Sequence, residues 1–380
     1  MKIEKIQAYP ISFPIPEEHR VTLGIGQTIK RDAVLVKVTT DSGIVGWGEA
    51  HAARAPSAMA ELINTTLQQL VVGRDPHDTE SIWDYVYRMQ IASHGMGTAA
   101  VIGLSGIDLA LWDIKAKSAE QPLHQILGAE STPVESYAGG VSLGYQQPET
   151  LIEEIEKLCG LGYRAIKLRI GDTIDLDRAR IEGVREHFND DLIILVDANT
   201  AYSLDDAIKI SDVLNACNVS WLEEPFPPQA YESYRALASH AKVPLAAGEN
   251  HYTRFDFMRM RDDESVTVWQ PDLSKCGGLT EALRIAELAK ENGVKIHPHT
   301  SLTGINMAAS IHFLSTIDNA GYFEADVSVY NPFRDDLTGN GHHVLQDGMV
   351  QSFDTPGIGI EINDSMLENY PVISGPGYVK

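Results

Sequence analysis

Acidic, basic and histidine side chains stand at the ends of short apolar runs in the second half of the chain. In order they are Lys167 and Arg169, Asp197, Glu223, Glu249, Asp272, His299 and Glu324. Neighbouring members of this series are 23 to 28 residues apart, which is the length of one strand, one helix and two loops. Because these residue types bind divalent cations and transfer protons, the series predicts a metal-assisted acid–base site built from successive strand ends.

Three carboxylates in this series are candidates for a metal site. Asp197, Glu223 and Glu249 end consecutive apolar runs, each 26 residues after the one before. A set of oxygen donors without Cys or His suits a hard cation such as Mg²⁺. Glu224 follows Glu223 directly, and neighbouring strand residues face opposite sides, so only one of the two is expected to point inward. We predict that Glu223 is the ligand.

Proton transfer is expected from the basic members of the series. Lys167 and Arg169 are two residues apart on one strand and therefore share a face. A lysine beside a dication is expected to have a lowered pKa, as proton transfer requires. The guanidinium of Arg169 stays charged, so its expected role is a carboxylate clamp or electrostatic support.

A histidine is the second candidate base. His299 is expected to receive support from Asp272, whose carboxylate could hold the second imidazole nitrogen and fix the tautomer. His297 shares its facing but would lie one layer deeper. Glu324 could hydrogen-bond a developing enolate oxygen, for which it would have to be protonated if it donates. Asn199, on the same side as Asp197, is predicted to contact the substrate.

The elements that position these residues follow from the repeat. A strand–helix unit of about 25 residues with a polar group at each strand's carboxyl end is typical of a (β/α)8 barrel. Helices are predicted in the repeat over residues 148–159, 176–187, 204–216, 230–240, 279–291 and 304–315.

The residues before the repeat predict a different unit. Three strands within residues 1–55 and a long apolar helix over residues 98–118 indicate an α+β domain. The last forty residues are rich in Gly, Pro and Asp, and we expect them to return to the first domain. The predicted division is therefore a capping domain at 1–130, an α/β barrel at 131–340 and a C-terminal segment at 341–380.

Composition excludes several classes of protein. The formal net charge of −23 disfavours nucleic acid and anionic membranes as partners. No uninterrupted apolar run reaches the length of a membrane helix, and the N-terminus lacks the apolar core of a signal peptide. Cys159, Cys217 and Cys276 provide neither a disulfide framework nor zinc-ligand spacing. A cytoplasmic location is the expectation.

Taken together, the motifs resemble the enolase superfamily, and within it the mandelate racemase group. They are GWGEA around Glu49, GIDLALWDIKAK from Gly106, the Lys-x-Arg pair, VDAN, WLEEP, the Gly-Glu at Glu249, QPD at Asp272, and the positions of His299 and Glu324. The resemblance spans essentially the whole chain. Each motif is weak alone, but the set is specific.

The resemblance implies an activity and a set of roles. Asp197, Glu223 and Glu249 would bind one Mg²⁺ per subunit, and the metal would chelate a small-molecule carboxylate. A base would remove the proton α to that carboxylate to form an enolate. His299 with Asp272 would be one acid/base, Lys167 would lie near the carboxylate, and Glu324 would stabilise the enolate. The resemblance also implies a homo-oligomer and substrate-reading loops in the cap. The candidate loops are residues 16–27, with His19 and Arg20, and residues 49–56, with His51 and Arg54; each could equally be a surface turn, and Arg20 and His51 are the predicted contacts.

The chain departs from the family pattern at Arg169, which stands where the family has a second lysine. In racemases of the group, that lysine is the base on the face opposite the histidine. Its replacement favours a one-base reaction, so we expect dehydration of an acid sugar (an aldonate or aldarate) to a 2-keto-3-deoxy product. The alternatives are a racemase, epimerase or cycloisomerase that uses His299 and Lys167, and a non-catalytic metal-binding scaffold.

Overall fold

An antiparallel sheet opens the chain. The computed structural model describes residues 1–300, 302–339 and 341–380. The first sheet has the order β1 (Ile3–Pro14), β4 (Lys30–Thr40) and β5 (Val45–His51). A Cβ at Gly48 would approach the carbonyl oxygen of Gly106 to 2.0 Å. Glycine is therefore needed in β5 so that the long helix can lie directly on the sheet.

That long helix, α4 (Gly97–Ser118), forms the centre of the first domain. It is buried along most of its length between the sheet and neighbouring helices. Among the described residues, it alone has the length and hydropathy to cross a membrane. This was not predicted from the sequence, because charged residues interrupt its apolar run. Because 83% of its apolar stretch is buried inside the protein, it fits the description of a core helix.

The second unit is a closed and largely parallel barrel of eight extended segments. Six strands, β6 to β11, follow one another in sequence order. Isolated parallel bridges then join Trp269 to Ile296 and Ile296 to Ala320. The last strand, β12 (Phe323–Asp326), pairs in parallel with β6 (Val134–Gly139) and so closes the ring. The predicted fold class, an α/β barrel with an α+β cap, is confirmed.

The register of neighbouring strands brings their polar ends to one height. Arg169 at the end of β7 (Ala165–Arg169) lies beside Asp197 at the end of β8 (Ile193–Asp197). Asp197 in turn lies beside Glu223 at the end of β9 (Val219–Glu223). Parallel strands present their carboxyl ends at the same rim of the barrel, so these side chains share one mouth.

The remaining elements connect and cover the sheets. The other strands are β2 (Thr22–Leu23), β3 (Gly26–Thr28), β10 (Leu245–Ala247), β11 (Val268–Trp269), β13 (His343–Val344), β14 (Met349–Gln351) and β15 (Tyr378–Val379). The other α-helices are α1 (Pro56–Glu61), α2 (Gln68–Val71), α3 (Thr79–Val86), α5 (Leu123–Ile126), α6 (Pro148–Gly160), α7 (Ile174–Phe188), α8 (Leu204–Ala216), α9 (Tyr231–Ala238), α10 (Thr253–Asp263), α11 (Gly278–Glu291) and α12 (Gly304–Leu314). Wider π-helical turns occur at Leu62–Leu67, Tyr87–Ile91 and Phe333–Thr338.

One barrel helix, α10 (Thr253–Asp263), is absent from the helices predicted in the repeat. Its sequence TRFDFMRMRDD buries only three side chains, and two of its large apolar residues, Phe255 and Met258, are exposed. A helix with so narrow a buried face lacks the periodic apolar stripe that sequence reading depends on.

The C-terminal residues contact both units. Strand β14 pairs antiparallel with the first residues of β6, whereas β15 pairs antiparallel with β3 of the cap. Contacts with the first domain are spread along the segment, since the N–H of Ile358 donates to Asp113, the N–H of Ser12 donates to the carbonyl of Tyr370, and β15 pairs with β3. The exact domain bounds stay a prediction.

Buried carboxylates of α4 hold the units together. Asp108 accepts hydrogen bonds from the backbone N–H and the hydroxyl of Thr280, at the start of α11, at 2.9 and 2.6 Å. Asp113 accepts from the N–H of Trp47 at 2.9 Å and from that of Ile358 at 2.8 Å. Charge-assisted bonds of this kind tie α4 to the cap sheet, the barrel and the C-terminal segment.

Candidate active site

A cavity of about 430 Å³ lies where the cap meets the mouth of the barrel. Its size is typical of pockets that bind small molecules. Three parts of the chain line it. The barrel contributes Arg169, Asn199, Glu224, Glu249, Lys275 and His299, the cap contributes Lys30, Arg31, Asp32, His51 and Arg54, and the C-terminal strand contributes Tyr378.

Each of the three predicted metal ligands is paired with a cationic side chain. Asp197 accepts a hydrogen bond from Arg169, Glu223 lies 2.9 Å from the Nζ of Lys167, and Glu249 lies 2.9 Å from the Nε2 of His299. Within residues 1–300, 302–339 and 341–380, no three His, Cys, Asp or Glu side chains are grouped closely enough to hold a metal ion. The predicted ligands share the barrel mouth but form ion pairs there.

The electrostatics of these carboxylates nevertheless fit a divalent cation. Burial, opposed by Lys167 and reinforced by the charges of Asp197, Glu324 and Glu249, raises the pKa of Glu223 to about 7. The acidic groups are thus close enough to disfavour one another's ionisation. Oxygen donors alone, crowded in this way, match the preference of Mg²⁺. Asp197, Glu223 and Glu249 would hold it by exchanging their present cationic partners.

The two consecutive glutamates correct the expectation that only one could face the site. Glu223 lies inside the barrel, where its carboxylate accepts from the side chain of Gln270 at 2.7 Å. Glu224 is also buried and lines the cavity, where Asn250 donates to it at 3.0 Å. Strand β9 ends at Glu223, and Glu224 has a left-handed φ of +36°. Alternation of side-chain facing holds only in extended backbone, so the rule does not apply to this pair.

The predicted histidine–aspartate pair is formed. The Nδ1 of His299 lies 2.7 Å from the carboxylate of Asp272. The other carboxylate oxygen of Asp272 accepts from the N–H and hydroxyl of Ser274 and from the side chain of Asn306. These four bonds fix the carboxylate, which in turn fixes the imidazole with Nε2 directed at Glu249 and the cavity.

Charge keeps the imidazole of His299 protonated in this arrangement. Burial lowers its pKa, but the charge of Glu249 and the hydrogen bonds with Asp272 and Glu249 outweigh burial and raise the pKa to about 10. The pKa of Asp272 is lowered to about 2, because the hydrogen bond and charge of His299 overcome its burial. His297, by contrast, packs against Trp221 inside the barrel and accepts from the N–H of Tyr322.

Lys167 is held between two carboxylates inside the barrel. Its Nζ lies 2.9 Å from both Glu223 and Glu324. Burial would lower the pKa of this amine, but the two carboxylates raise it well above its usual value. The pKa of Glu324 is lowered despite burial, chiefly by Lys167. Glu324 is therefore an ionised acceptor here, with Gly140 N–H as a further donor, and not the protonated donor that was considered.

Arg169 is held between a carboxylate and a backbone carbonyl, and its predicted role toward a substrate stays a prediction. It donates to Asp197 and to the carbonyl of Gly140, and one of its nitrogens lies 3.5 Å from the side-chain oxygen of Asn199. Its Nε–H is buried without a hydrogen-bond partner among the described residues. An unsatisfied donor at a cavity wall costs free energy unless a ligand oxygen accepts from it. Asn199 also lines the cavity and donates to Asp197 at 3.0 Å.

The two cap residues predicted as substrate contacts have different positions. His51 lines the cavity, and its Nδ1 accepts from the N–H of Ala53 at 3.1 Å. Burial is the main cause that lowers the pKa of His51, to about 3. The neutral ring therefore carries its proton on Nε2 as a donor. Arg20 does not line the cavity; its Nε donates to the carbonyl of Ile15 at 3.3 Å.

Several cavity residues were not singled out from the sequence. Lys275 lies 3.4 Å from Glu249, and its position three residues after Asp272, close to a predicted strand end, was the available signal. Lys30, Arg31 and Asp32 put three charges in a row at the start of β4, a pattern unusual for a core strand. Nothing in the sequence near Tyr378 indicated that the C-terminus reaches the cavity.

Comparison with known proteins agrees with this architecture. Residues 150–366 match the family described as enolase C-terminal domain-like. Residues 10–128 match the mandelate racemase/muconate lactonizing enzyme N-terminal domain. The chain is 31% identical to the D-galactarolactone cycloisomerase of Agrobacterium fabrum, over 90% of this chain and 92% of the relative. It is 29% identical to the arabinonate dehydratase of Saccharolobus solfataricus, over 97% and 99% of the two chains.

Solved structures give the same result. A member of the enolase superfamily from Polaromonas sp. JS666 superimposes with a TM-score of 0.97 at 49% identity, covering 100% of both chains. A racemase from Streptomyces coelicolor A3(2), solved with bound magnesium, has a TM-score of 0.87 at 26% identity and covers 97% of this chain and 100% of that one. The motifs, the capped barrel and these matches show that the chain belongs to the enolase superfamily, in its mandelate racemase and muconate lactonizing enzyme group.

Proposed function

We propose that this protein is a Mg²⁺-dependent enzyme that removes the proton α to the carboxylate of an acid sugar and expels the β-hydroxyl as water, giving a 2-keto-3-deoxy acid. The observation that carries the proposal is the placement of His299. Its Nδ1 is held by Asp272 at 2.7 Å, and its Nε2 lies 2.9 Å from Glu249 at the cavity wall. A positioned imidazole beside strand-end carboxylates is the arrangement that such a proton abstraction needs.

The carboxylates and the arginine would bind the acid group. Asp197, Glu223 and Glu249 are the proposed ligands of one Mg²⁺ per subunit. When bound, the cation supplies positive charge that stabilises the developing enolate. The buried Nε–H of Arg169 offers a hydrogen bond to a substrate oxygen. Asn199 and the Nε2–H of His51 are further donors at the cavity wall.

The proton would move through a single imidazole. To accept the α-proton, His299 has to be neutral, and this requires release of its contact with Glu249, the leading cause that raises its pKa. Asp272 then keeps Nδ1 protonated and Nε2 free to accept. The resulting imidazolium can return the proton to the departing β-hydroxyl. One group thus serves as base and acid in turn.

The other basic groups favour this one-base reaction. The guanidinium of Arg169 cannot accept a proton under ordinary conditions. Lys167 lies 2.9 Å from Glu324, which is not a proposed metal ligand and keeps the amine charged when Glu223 turns to Mg²⁺. Racemisation needs a second base on the opposite face, and neither group is free to be one. The relatives named as dehydratases are consistent with this choice.

Cycloisomerisation is the second candidate, because a relative of 31% identity is named as a D-galactarolactone cycloisomerase. The two reactions differ in whether water is lost. We propose a panel of acid sugars and acid-sugar lactones incubated with Mg²⁺ in D2O, followed by mass spectrometry and a 2-keto acid assay. Dehydration predicts a product lighter by one water. Deuterium incorporation without loss of water would contradict it.

His299→Asn tests the assignment of the base. We expect this variant to lose about 10²–10⁴-fold in kcat, the usual contribution of a general acid–base group. His240→Asn, at the exposed end of α9, is the matched control and should retain activity. Removal of Mg²⁺ with a chelator should abolish turnover, and adding it back should restore it. Full activity of His299→Asn would refute the assigned role.

Two broader features complete the proposal. We infer a homo-oligomer in the cytoplasm, on the basis of family membership. Light scattering of the purified protein would measure the subunit number, and metal analysis after gel filtration in Mg²⁺ would measure the expected stoichiometry of one ion per chain. A monomer, or no retained metal, would contradict the corresponding part.

A further inference from the structure

Arg54 differs from the other cations that line the cavity. It forms no salt bridge or hydrogen bond with any residue that the structure describes, although the chain carries a net charge of −23. Every other cavity cation has a carboxylate partner. The pairs are Lys30 with Asp32, Arg31 with Asp326, Arg169 with Asp197, Lys275 with Glu249, and His299 with Asp272.

The loop that carries Arg54 is held in an uncommon backbone conformation. Ala53 and Arg54 have positive φ values of 48° and 60°. Consecutive non-glycine residues in the left-handed region cost free energy, and such strain is retained where surrounding contacts maintain it. Here the N–H of Ala53 donates to His51, and the N–H of His51 donates to the carbonyl of Ser274 in the barrel. The loop is thus fixed at the cavity wall.

The C-terminal strand provides a surface for the guanidinium. Arg54 lies over the ring of Tyr378, 4.8 Å from its centroid. Tyr378 is held in place by pairing of β15 with β3 and by a bond of 2.9 Å from the N–H of Ile29 to the carbonyl of Gly377. Gly26 has φ of +116°, and a Cβ there would meet Val379 O at 2.6 Å, so this close pairing requires glycine. An arginine stacked on an aromatic face keeps its donors available at its edge.

We propose that Arg54 binds a second carboxylate of the substrate, so that the substrate is a dicarboxylic acid sugar (an aldarate or its lactone) and not a monocarboxylic aldonate. This inference rests on the proposed function and names its substrate class. The first carboxylate would be held at the barrel strand ends, beside Arg169. The second would meet Arg54, which comes from the cap and faces the same cavity. An arginine suits a carboxylate because its planar donors match the two oxygens.

The same position serves a neutral group poorly. The far end of an aldonate is a hydroxyl, which offers the Arg54 guanidinium a single, weaker hydrogen-bond acceptor. A charged partner there is expected to strengthen binding by about tenfold to a hundredfold relative to a hydroxyl. The prediction is therefore a difference between two acids that share chain length and configuration and differ only in the terminal group.

The experiment compares such a pair, a six-carbon aldarate and its matching aldonate. Dissociation constants would be measured by calorimetry with Mg²⁺ in protein carrying His299→Asn, which prevents consumption of the acid. Initial rates with unmodified protein give kcat/KM for the same compounds. We expect the aldarate to bind about tenfold to a hundredfold more tightly. Arg54→Gln should remove most of that difference, because it weakens binding of the aldarate far more than binding of the aldonate.

Arg178→Gln is the matched control, because Arg178 is an exposed arginine of α7 that forms no ion pair with any described residue and does not line the cavity. It should keep the preference for the aldarate. Equal binding of the two acids, or an equal loss for both in Arg54→Gln, would overturn the inference. If product forms from aldonates alone, the inference fails and the proposed dehydration stands. If the aldarate is preferred but no acid sugar is dehydrated, the proposed reaction fails and the Arg54 site stands.

Discussion

At the scale of single residues, the site depends on how each charged group is paired. Asp272 receives four hydrogen-bond contacts, from His299, Ser274 and Asn306, so its orientation is over-determined. Lys167 is instead shared between Glu223 and Glu324. Carboxylates thus serve two purposes. Asp272 orients an imidazole towards the cavity, whereas Glu223 and Glu324 keep an amine charged inside the barrel.

Asp272→Asn tests the orienting role. The asparagine preserves the shape of the side chain but cannot stabilise an imidazolium or enforce the same tautomer. We expect kcat to fall by about 10²–10⁴-fold with little change in KM, because the loss concerns proton transfer and not binding. Steady-state kinetics would measure both constants. Asp318→Asn, at an exposed site, is the control, and a change confined to KM would contradict the assignment.

Arg169→Lys tests why the reaction has one base. A lysine at this position restores the Lys-x-Lys pattern and introduces an amine that can lose its proton, which a guanidinium does not do. The lysine also loses the hydrogen bond that the second terminal nitrogen of Arg169 donates to the carbonyl of Gly140. We expect slower dehydration together with new exchange of the α-proton. Deuterium content of recovered substrate after incubation in D2O measures that exchange, and its absence would argue against Arg169 as the determinant.

At the scale of secondary-structure elements, glycine and buried carboxylates decide how closely units pack. Helix α4 contacts strand β5 where Gly46 and Gly48 leave room for its backbone. Asp108 on the same helix accepts two hydrogen bonds from Thr280 at the beginning of α11. A Cβ at Gly278 would lie 2.4 Å from that carboxylate. Close approach and hydrogen bonding together determine how the cap is seated on the barrel.

Asp108 also makes the stability of this junction depend on pH. Burial, which outweighs the hydrogen bonds from Thr280, raises its pKa to about 7. A folded-state pKa above the unfolded value near 3.8 favours the folded protein at low pH, and this contribution is lost as the pH rises towards 7. Asparagine at this position does not titrate. We therefore expect the stability difference between the unmodified protein and Asp108→Asn to shrink from pH 4 to pH 8.

Chemical denaturation at a series of pH values would measure this difference. At low pH, Asp108→Asn should be less stable, by an amount on the order of 1–3 kcal/mol for one lost hydrogen bond inside the protein. Asp113→Asn is the comparison, since Lys117 lies 2.8 Å from Asp113 and partly compensates its charge. A stability difference that grows with pH would contradict the direction given for Asp108.

At the scale of the whole molecule, negative charge is concentrated where the predicted metal would bind. The chain carries a net charge of −23, and Glu223, Glu224, Glu249 and Glu324 are all buried or nearly so at one end of the barrel. Like charges held together in a folded protein oppose folding, and a bound dication reduces that repulsion. Metal binding and stability should therefore be linked.

Mg²⁺ is accordingly expected to raise the melting temperature. A ligand present at a hundredfold excess over its dissociation constant stabilises the native state by about 2.7 kcal/mol. Scanning calorimetry with Mg²⁺, and with a chelator, would measure the shift. Glu249→Gln should reduce it, because one proposed ligand is weakened. Equal shifts in both proteins, or the same shift with a monovalent salt of matched ionic strength, would indicate screening in place of a specific site.

The sequence by itself determined the barrel, the order of its strand-end residues and the family. The barrel and the order of its strand-end residues follow from a repeat of about 25 residues and from the side-chain periodicity of strands, both of which are local properties, whereas the family follows from the resemblance of the motif set. The pairing of His299 with Asp272 was also predictable, because consecutive staves of a parallel barrel are neighbours.

Only the tertiary structure decided which charges face each other and what closes the cavity. Lys167 lies between Glu223 and Glu324 because the barrel brings its first and last strands together, over 150 residues apart in sequence. Glu224 enters the cavity through a single left-handed residue that no periodicity predicts. Tyr378 reaches Arg54 because the C-terminal strand pairs with the cap. Contacts of this kind depend on the closed three-dimensional path of the chain, and local sequence carries no signal for them.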